Sequence, residues 1–326
     1  MTTLNEQTAC FSAALERLWP DPAQRERVLA AERMDRHTTF RVGGPADFYF
    51  EPTKAEELAA ILEIARACQL PVTILGNGSN IVVSDSGIRG LVISLGDQMA
   101  GIRRSGDDLI VQAGAKLSSV AAFAAREGLG GLAFASGIPG TIGGAVMMNA
   151  GAYDHCMADV VVRTVFLDTD LQLKSVQGAD HQFTYRHSCF KGTGWIVTET
   201  VLHLAPQEST QIYAEMADLA ARRRASQPLE FPSAGSAFKR PTGYYAGKLI
   251  ADSGLKGCRI GGAEVSEKHA GFIINRGQAT ASDVALLFGH VRATVEARFA
   301  VRLEPEVRFI GDWSGWTDVE VIPWKS

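Results

Sequence analysis

Cysteine is sparse and unpatterned in this sequence: Cys10, Cys68, Cys156, Cys189 and Cys258 are scattered, and none forms a C-x-x-C spacing. That distribution offers neither a zinc site nor a disulfide framework, so most are expected to be reduced, packed thiols, with Cys189 a passive neighbour of candidate chemistry. Long apolar runs are also missing. Without about 18 consecutive apolar residues there is no candidate membrane span, and the opening residues lack the basic start and apolar centre of a secretory signal, so a cytoplasmic protein is expected. Charge of one sign is not in excess: 32 basic against 36 acidic residues give a net charge of -4, which favours neither nucleic acid nor an anionic membrane as partner. G-x-S-x-G is absent, as are His-rich or paired-carboxylate spacings, so hydrolase and metalloenzyme readings lose ground and no metal site is expected.

What is present begins with residues 133–153, AFASGIPGTIGGAVMMNAGAY, a run holding five glycines and no charge. Glycine tolerates positive φ and removes the side chain that would hold a ligand away, so such runs occur where main-chain N–H groups face phosphate or a flat ring. The competing reading is a buried seam of small residues. A second loop, Leu75-Gly76-Asn77-Gly78-Ser79-Asn80, lies between two strand-like segments. Two such loops point to one extended ligand, a dinucleotide.

Apolar residues at three- and four-residue steps predict helices over 54–68, 116–127, 208–226 and 282–299. Strand-like segments fall at 72–75, 81–83, 89–95, 109–113, 165–167, 182–185 and 195–204. The segment 128–133 satisfies G-x-G-x-x-A, but it follows a helix where the dinucleotide fingerprint needs a strand, so it reads as a helix stop. A bound dinucleotide would therefore not use a Rossmann turn. Arg222-Arg223-Arg224 suits a helix C-terminus and equally a diphosphate.

Three polar segments combine turn residues with reactive groups: Tyr185-Arg186-His187-Ser188, Gly235-Ser236-Ala237-Phe238-Lys239-Arg240 and Leu303-Glu304-Pro305-Glu306-Val307. Taken singly, Arg186 reads as a surface ion pair, Ser236 as a cap and Glu306 as a solvated strand residue.

Together with TTFRVGGPA (38–46), LGNGSN (75–80), SGIPGTIGGAVMMNAGAY (136–153), YRHSCFK (185–191), PSAGSAFKRP (232–241), AGKLIADSGLKG (246–257), EKHAGFIIN (267–275) and LEPEVRFIG (303–311), these segments occur in an order that resembles the UDP-N-acetylenolpyruvoylglucosamine reductases, also called UDP-N-acetylmuramate dehydrogenases. The resemblance spans roughly residues 35–312. It implies an α+β protein: a two-lobed FAD-binding module of the vanillyl-alcohol-oxidase type, followed by an α+β substrate domain. The expected divisions are an N-terminal helical extension (1–34), the two FAD lobes (35–95 and 96–205), the substrate domain (206–312) and a tryptophan-containing tail (313–326).

By the same resemblance, FAD would be held by Arg41, Val42, Gly76, Asn77, Gly78, Ser79 and Asn80, by Ser136, Gly137, Ile138, Pro139, Gly140, Gly143, Gly144 and Ala145, and by Asn149, Gly151 and Ala152. Ser236 would be the proton donor, with Arg186 and Glu306 holding and polarising the substrate carboxylate and Glu304 the alternative carboxylate. Tyr185, Arg224, Lys239, Arg240 and His269 would bind the UDP-sugar, with Tyr244 or Tyr245 as further partners. Arg240 stands where other members carry asparagine, which leaves its role open between charge pairing and exposure. The implied reaction uses NADPH to reduce FAD and then the enolpyruvyl group of the UDP-sugar. Little room remains between Arg186, Ser236 and Glu306 for the insertion that closes a tyrosine over substrate in one type of the family, so a compact form, expected as a monomer, is implied. The alternatives are a sugar or aldonolactone oxidase on the same flavin scaffold and a flavin-binding protein without turnover.

Overall fold

A computed structural model describes residues 3–314. The expected tail is represented there by Trp313 and Ser314 alone; Trp316 and Trp324 lie outside the described residues. The fold is α+β, and the chain forms two compact units. One comprises residues up to 29, 48–77 and 90–223; the other comprises 30–47, 78–89 and 224 onward. The chain changes unit after residues 29, 47, 77, 89 and 223, and the crossings after 77 and 223 fall in two segments singled out above for ligand chemistry.

In the first unit a five-stranded antiparallel sheet runs in the order Leu173–Gln177, Val161–Leu167, Ile196–His203, Asp108–Gln112, Ile102–Ser105. Alternation along Asp108–Gln112 buries Leu109 and Val111, the two-residue period of a sheet with one covered face. Helix Leu117–Arg126 buries Leu117, Val120, Ala121, Ala124 and Ala125 and is closed by Gly128 at φ 68°, so the G-x-G-x-x-A match is a helix stop, as its context requires. Helix Ala55–Ala67 buries Leu58, Ile61, Leu62 and Ala65 and leads into strand Val72–Leu75, which pairs parallel with Ile88–Ser94.

The expectation that most cysteines are reduced holds for three of the five, and Cys10 and Cys68 depart from it. Helix Leu4–Leu18, capped by Thr3 and Glu6, buries Phe11, Ala14 and Leu15 in the same core as helix Ala55–Ala67. Their packing places Cys10 and Cys68 with Cα atoms 5.6 Å apart, joined as a disulfide. A separation of 58 residues gave no local signal of that pairing. Cys156, Cys189 and Cys258 are free, and burial pushes the Cys189 thiol up, away from the reactive thiolate.

In the second unit an antiparallel sheet has the order Ser233–Ser236, Phe272–Asn275, Ala263–Val265, Arg259–Ile260. Helix Ala281–Phe299 covers its core with Val284, Leu287, Phe288, Val291 and Val295, the stripe its periodicity predicts, while Phe299 is half-buried. Its N-terminus is capped by Thr280 and Asp283, and the Asp85 carboxylate accepts from the N–H groups of Ala281 and Ser282, each at 2.8 Å. Strand Arg308–Ile310 pairs parallel with Ile81–Val83, which fixes the 303–307 segment beside the 78–80 loop.

Candidate active site

The two glycine loops meet in the first unit. Asn77 Nδ2 donates to the carbonyl of Pro139 at 2.7 Å, and a Cβ on Gly76 would stand 2.3 Å from Thr141 Oγ1. Gly76 is thus required by space rather than by φ. The Thr141 hydroxyl is buried and makes no hydrogen bond among the described residues. An orphaned hydroxyl of this kind costs about 1–3 kcal/mol unless a ligand completes it. The main-chain N–H groups of Gly76, Asn77, Gly137 and Gly140 also make no hydrogen bond to protein among the described residues. Bare amides, an orphaned hydroxyl and a cradle that a single methyl would fill suit the phosphates and flat ring of a dinucleotide.

The 133–153 run is more ordered than its composition suggests. Ile142–Met148 forms a short helix, and the N–H groups of Ile142 and Gly143 are already taken by the carbonyls of Ala115 and Ala113. Gly143 is held against Ala113, where its Cβ would lie 3.1 Å from that of Ala113. Of the expected cofactor residues, Gly143 and Ala145 are therefore buried packing positions, and Gly144 is exposed.

Asn149 ends that helix in the left-handed conformation, φ 41°. Its Nδ2 donates to Thr184 O at 3.1 Å and its Oδ1 accepts from Ala158 N at 3.0 Å. Ser188 Oγ donates to Met147 O at 2.9 Å. These bonds moor the 184–188 segment to the end of the glycine-rich run. The strand expected at 182–185 is instead a turn closed by a Thr184–His187 bridge, because Gln182 and Arg186 both adopt positive φ. Tyr185 and Arg186 occupy its tip, with the guanidinium over the Tyr185 ring at 5.0 Å. Holding Arg186 at φ 57° costs about 1–2 kcal/mol, and backbone strain of this kind clusters at functional sites. Gly151 and Ala152 pair with Cys156 and His155 across a turn in which Tyr153 and Asp154 are both left-handed; a Cβ on Gly151 would stand 2.4 Å from His155 O.

Ser236 and Glu306 are brought together in the second unit. Ser236 ends strand Ser233–Ser236, where Gly235 at φ 77° interrupts the register against Phe272–Asn275. The bulge leaves the Ser236 side chain exposed while Ala237 and Phe238 return to the core. Ala237 N donates to Gly271 O at 2.8 Å, and Ala237 O accepts from Glu306 N at 2.9 Å. Phe238 bridges to Pro305, and Lys239 N donates to Glu304 O at 2.8 Å. The two carboxylates are separated by environment: Glu304 is exposed and ion-paired with Lys239 Nζ at 2.8 Å, whereas Glu306 is half-buried. Lys239, expected to bind the UDP-sugar, is in this structure a partner of Glu304.

Asn80 has a second use that sequence reasoning missed. Its Nδ2 donates to Glu306 O at 3.1 Å and its carbonyl accepts from Arg308 N at 2.9 Å, so it fixes the main chain of the carboxylate segment. Gly78 packs its bare Cα against His37 O, and Thr39 N donates to Gly78 O at 3.2 Å. Arg41 is exposed at φ 57°, while Val42 is buried. His269 is half-buried: Gly271 N donates to its Nδ1 at 3.0 Å, which leaves Nε2 protonated in the neutral ring, and burial holds its pKa below the ordinary imidazole value. Arg240 stacks on Tyr245 at 4.1 Å, and the carbonyl of exposed Arg224 accepts from Lys268 Nζ at 2.6 Å. Among the described residues no His, Cys, Asp and Glu cluster could hold a metal ion. No helix there is long and apolar enough to cross a membrane.

Comparison with known proteins accounts for both units. Residues 46–173 match the FAD binding domain model, and residues 227–310 match the model of the UDP-N-acetylenolpyruvoylglucosamine reductase C-terminal domain. The reductase of Agathobacter rectalis is 48% identical over 298 residues, covering 88% of this chain and 95% of that protein. That of Geobacillus thermodenitrificans is 47% identical over 287 residues, covering 88% and 94%. The crystal structure of the reductase (MurB) from Thermus caldophilus aligns with a TM-score of 0.75 at 37% identity, over 87% of this chain and 98% of that one. With relatives this similar matched over nearly their whole length, the chain belongs to the UDP-N-acetylenolpyruvoylglucosamine reductase family and carries that family's FAD-binding and C-terminal domains.

Proposed function

We propose that this chain reduces UDP-N-acetylglucosamine enolpyruvate to UDP-N-acetylmuramate, with FAD as cofactor and NADPH as reductant, in peptidoglycan precursor synthesis. The observation that carries this reading is the Glu306 N–H to Ala237 O bond, which sets the Ser236 and Glu306 segments side by side in the domain specific to the family.

Bound FAD, once reduced by NADPH, supplies a hydride equivalent for the methylene carbon of the enolpyruvyl group. The chain's own residues manage the charge and proton that accompany it. Addition at that carbon leaves an electron pair on the carbon next to the substrate carboxylate, spread onto the carboxylate oxygens as an enolate. Arg186 holds those oxygens and stabilises the developing charge, and Glu306 would join it as a hydrogen-bond donor in its carboxylic acid form, since an ionised carboxylate would repel them. The Ser236 hydroxyl gives its proton to the carbon beside the carboxylate and is reprotonated from solvent, which its exposure permits. A serine is a weak acid, but the carbanion-like carbon is a strong base, so placement matters more than solution pKa.

The first unit would hold FAD through the amides of Gly76, Asn77, Gly137 and Gly140 and the Thr141 hydroxyl. Tyr185, Arg224, Arg240 and His269 would bind the UDP-sugar, with Lys239 joining once its pairing with Glu304 is relaxed. The working form is a cytoplasmic monomer with small-molecule partners, neither nucleic acid nor membrane among them, and its product feeds cell-wall growth, cell shape and division. Purified protein given NADPH and the enolpyruvyl sugar should consume the two in equal amounts and yield a product with two more hydrogens. Oxygen uptake with a plain sugar and no use of NADPH would overturn the reading in favour of an oxidase.

A further inference from the structure

The last turn of helix Ser209–Ser226 carries three consecutive arginines whose surroundings differ. Arg222 is exposed and ion-paired with Asp218 at 2.8 Å, and Arg224 is exposed. Arg223 lies half-buried against the glycine-rich run: its Cδ and Nη1 each stand 3.1 Å from where a Cβ on Gly137 would be. Gly137 does not have a left-handed φ, so its missing side chain gives space to that guanidinium. Tyr153 anchors the same helix from the other side of the run, its hydroxyl donating to Leu219 O at 3.2 Å. Among the described residues Arg223 makes no hydrogen bond and no ion pair. Desolvation pulls its pKa below the ordinary guanidinium value, and the nearby Tyr153 phenol offsets that only in part.

A cation favoured only by the helix dipole would sit in water, as Arg222 does. Partial withdrawal from water against a glycine loop, without a carboxylate partner, is explained when a ligand brings the negative charge. We propose that Arg223, rather than Arg224, pairs with an anionic oxygen of the flavin dinucleotide at the Gly137 loop. This rests on the reading that the first unit binds FAD. Two parts of the cofactor carry that chemistry: the diphosphate, charged in every redox state, and the N1–C2 carbonyl edge of the ring, charged once the ring is reduced.

The test compares wild-type protein with Arg223→Gln, Arg223→Lys and Arg222→Gln, measuring FAD affinity of the apoprotein, midpoint potential of bound flavin, and melting of apo and FAD-loaded forms. With the diphosphate as partner, Arg223→Gln raises the Kd for FAD about tenfold or more and weakens its salt dependence, while the potential stays put. With the reduced ring as partner, the affinity for oxidised FAD holds and the potential of Arg223→Gln moves negative. In both cases Arg223→Lys recovers part of the loss, Arg222→Gln matches wild type, and apo Arg223→Gln melts no lower than apo wild type because no protein partner is lost. Equal affinity and potential in wild type and Arg223→Gln would overturn the proposal, as would an equal loss in Arg222→Gln or a lower melting point already in the apo form. Failure of the FAD reading itself would show differently, as wild-type protein that binds no FAD.

Discussion

Asn80 and Glu306 are joined by a 3.1 Å hydrogen bond from the Asn80 amide to the Glu306 carbonyl, and the return bond from Arg308 N to Asn80 O locks the pair. A loop expected to serve only the cofactor therefore also sets where the Glu306 side chain starts. Removing one such bond costs about 1 kcal/mol of positioning. Asn80→Ala should lower kcat/KM for the enolpyruvyl sugar by about five- to tenfold, with the sugar half-reaction losing more than flavin reduction by NADPH. An equal loss in both would mean that Asn80 acts only through the cofactor.

Gly76 and Thr141 give a rescue experiment. Gly76→Ala would drive its new methyl to 2.3 Å from Thr141 Oγ1, whereas the next atoms, Thr141 Cβ and Cγ2, lie at 3.5 and 3.8 Å. The single variant should lose most of its FAD as purified. Adding Thr141→Ala removes the clashing oxygen together with the Cγ2 methyl, so the double variant should regain protein stability and part of its flavin content, read by absorbance and thermal melting.

The Cys10–Cys68 bridge closes a loop of 58-residue separation, for which the chain-entropy model gives about 4 kcal/mol when the bond forms without distortion. Denaturant melts with and without reductant should differ in wild type, and Cys10→Ser should melt as reduced wild type does. Indistinguishable curves would mean that the packing of Phe11 and Leu15 alone secures the N-terminal helix.

Two histidines, His181 buried and His269 half-buried, predict an acid slope. His181 bonds Thr164 Oγ1 and Gly178 O, and burial lowers its pKa, as it does for His269. Near the ordinary value of 6.5 the unfolded chain binds protons that the folded form refuses. Stability contributed by these groups is therefore level above about pH 6.5 and falls as pH drops below it. Urea melts at neutral and mildly acidic pH should show that loss, and His181→Gln should reduce it.

The long elements were legible because their signals are local. The apolar stripe Val284, Leu287, Phe288, Val291, Val295 announces its helix, and Gly128 reads correctly as a stop. Less visible was whatever depends on residues far apart in the chain. Cys10 finds Cys68 only through helix packing, and Lys239 meets Glu304 only because Phe238 and Pro305 bridge. At 182–185 an alternating pattern suggested a strand, but left-handed backbone at Gln182 and Arg186 turns the chain. Within 133–153 the glycines hid the short helix Ile142–Met148, whose first two amides are satisfied by Ala115 and Ala113 rather than by residues nearby. Nothing in three successive arginines tells which one is half-buried, and the fold makes it Arg223.

Ser236 as proton donor is tested most directly by stopped-flow absorbance of Ser236→Ala, followed as two half-reactions. Flavin reduction by NADPH should proceed at the wild-type rate, and reoxidation by the enolpyruvyl sugar should slow by about a thousandfold. Reoxidation at the wild-type rate, or equal slowing of both half-reactions, would contradict the assignment.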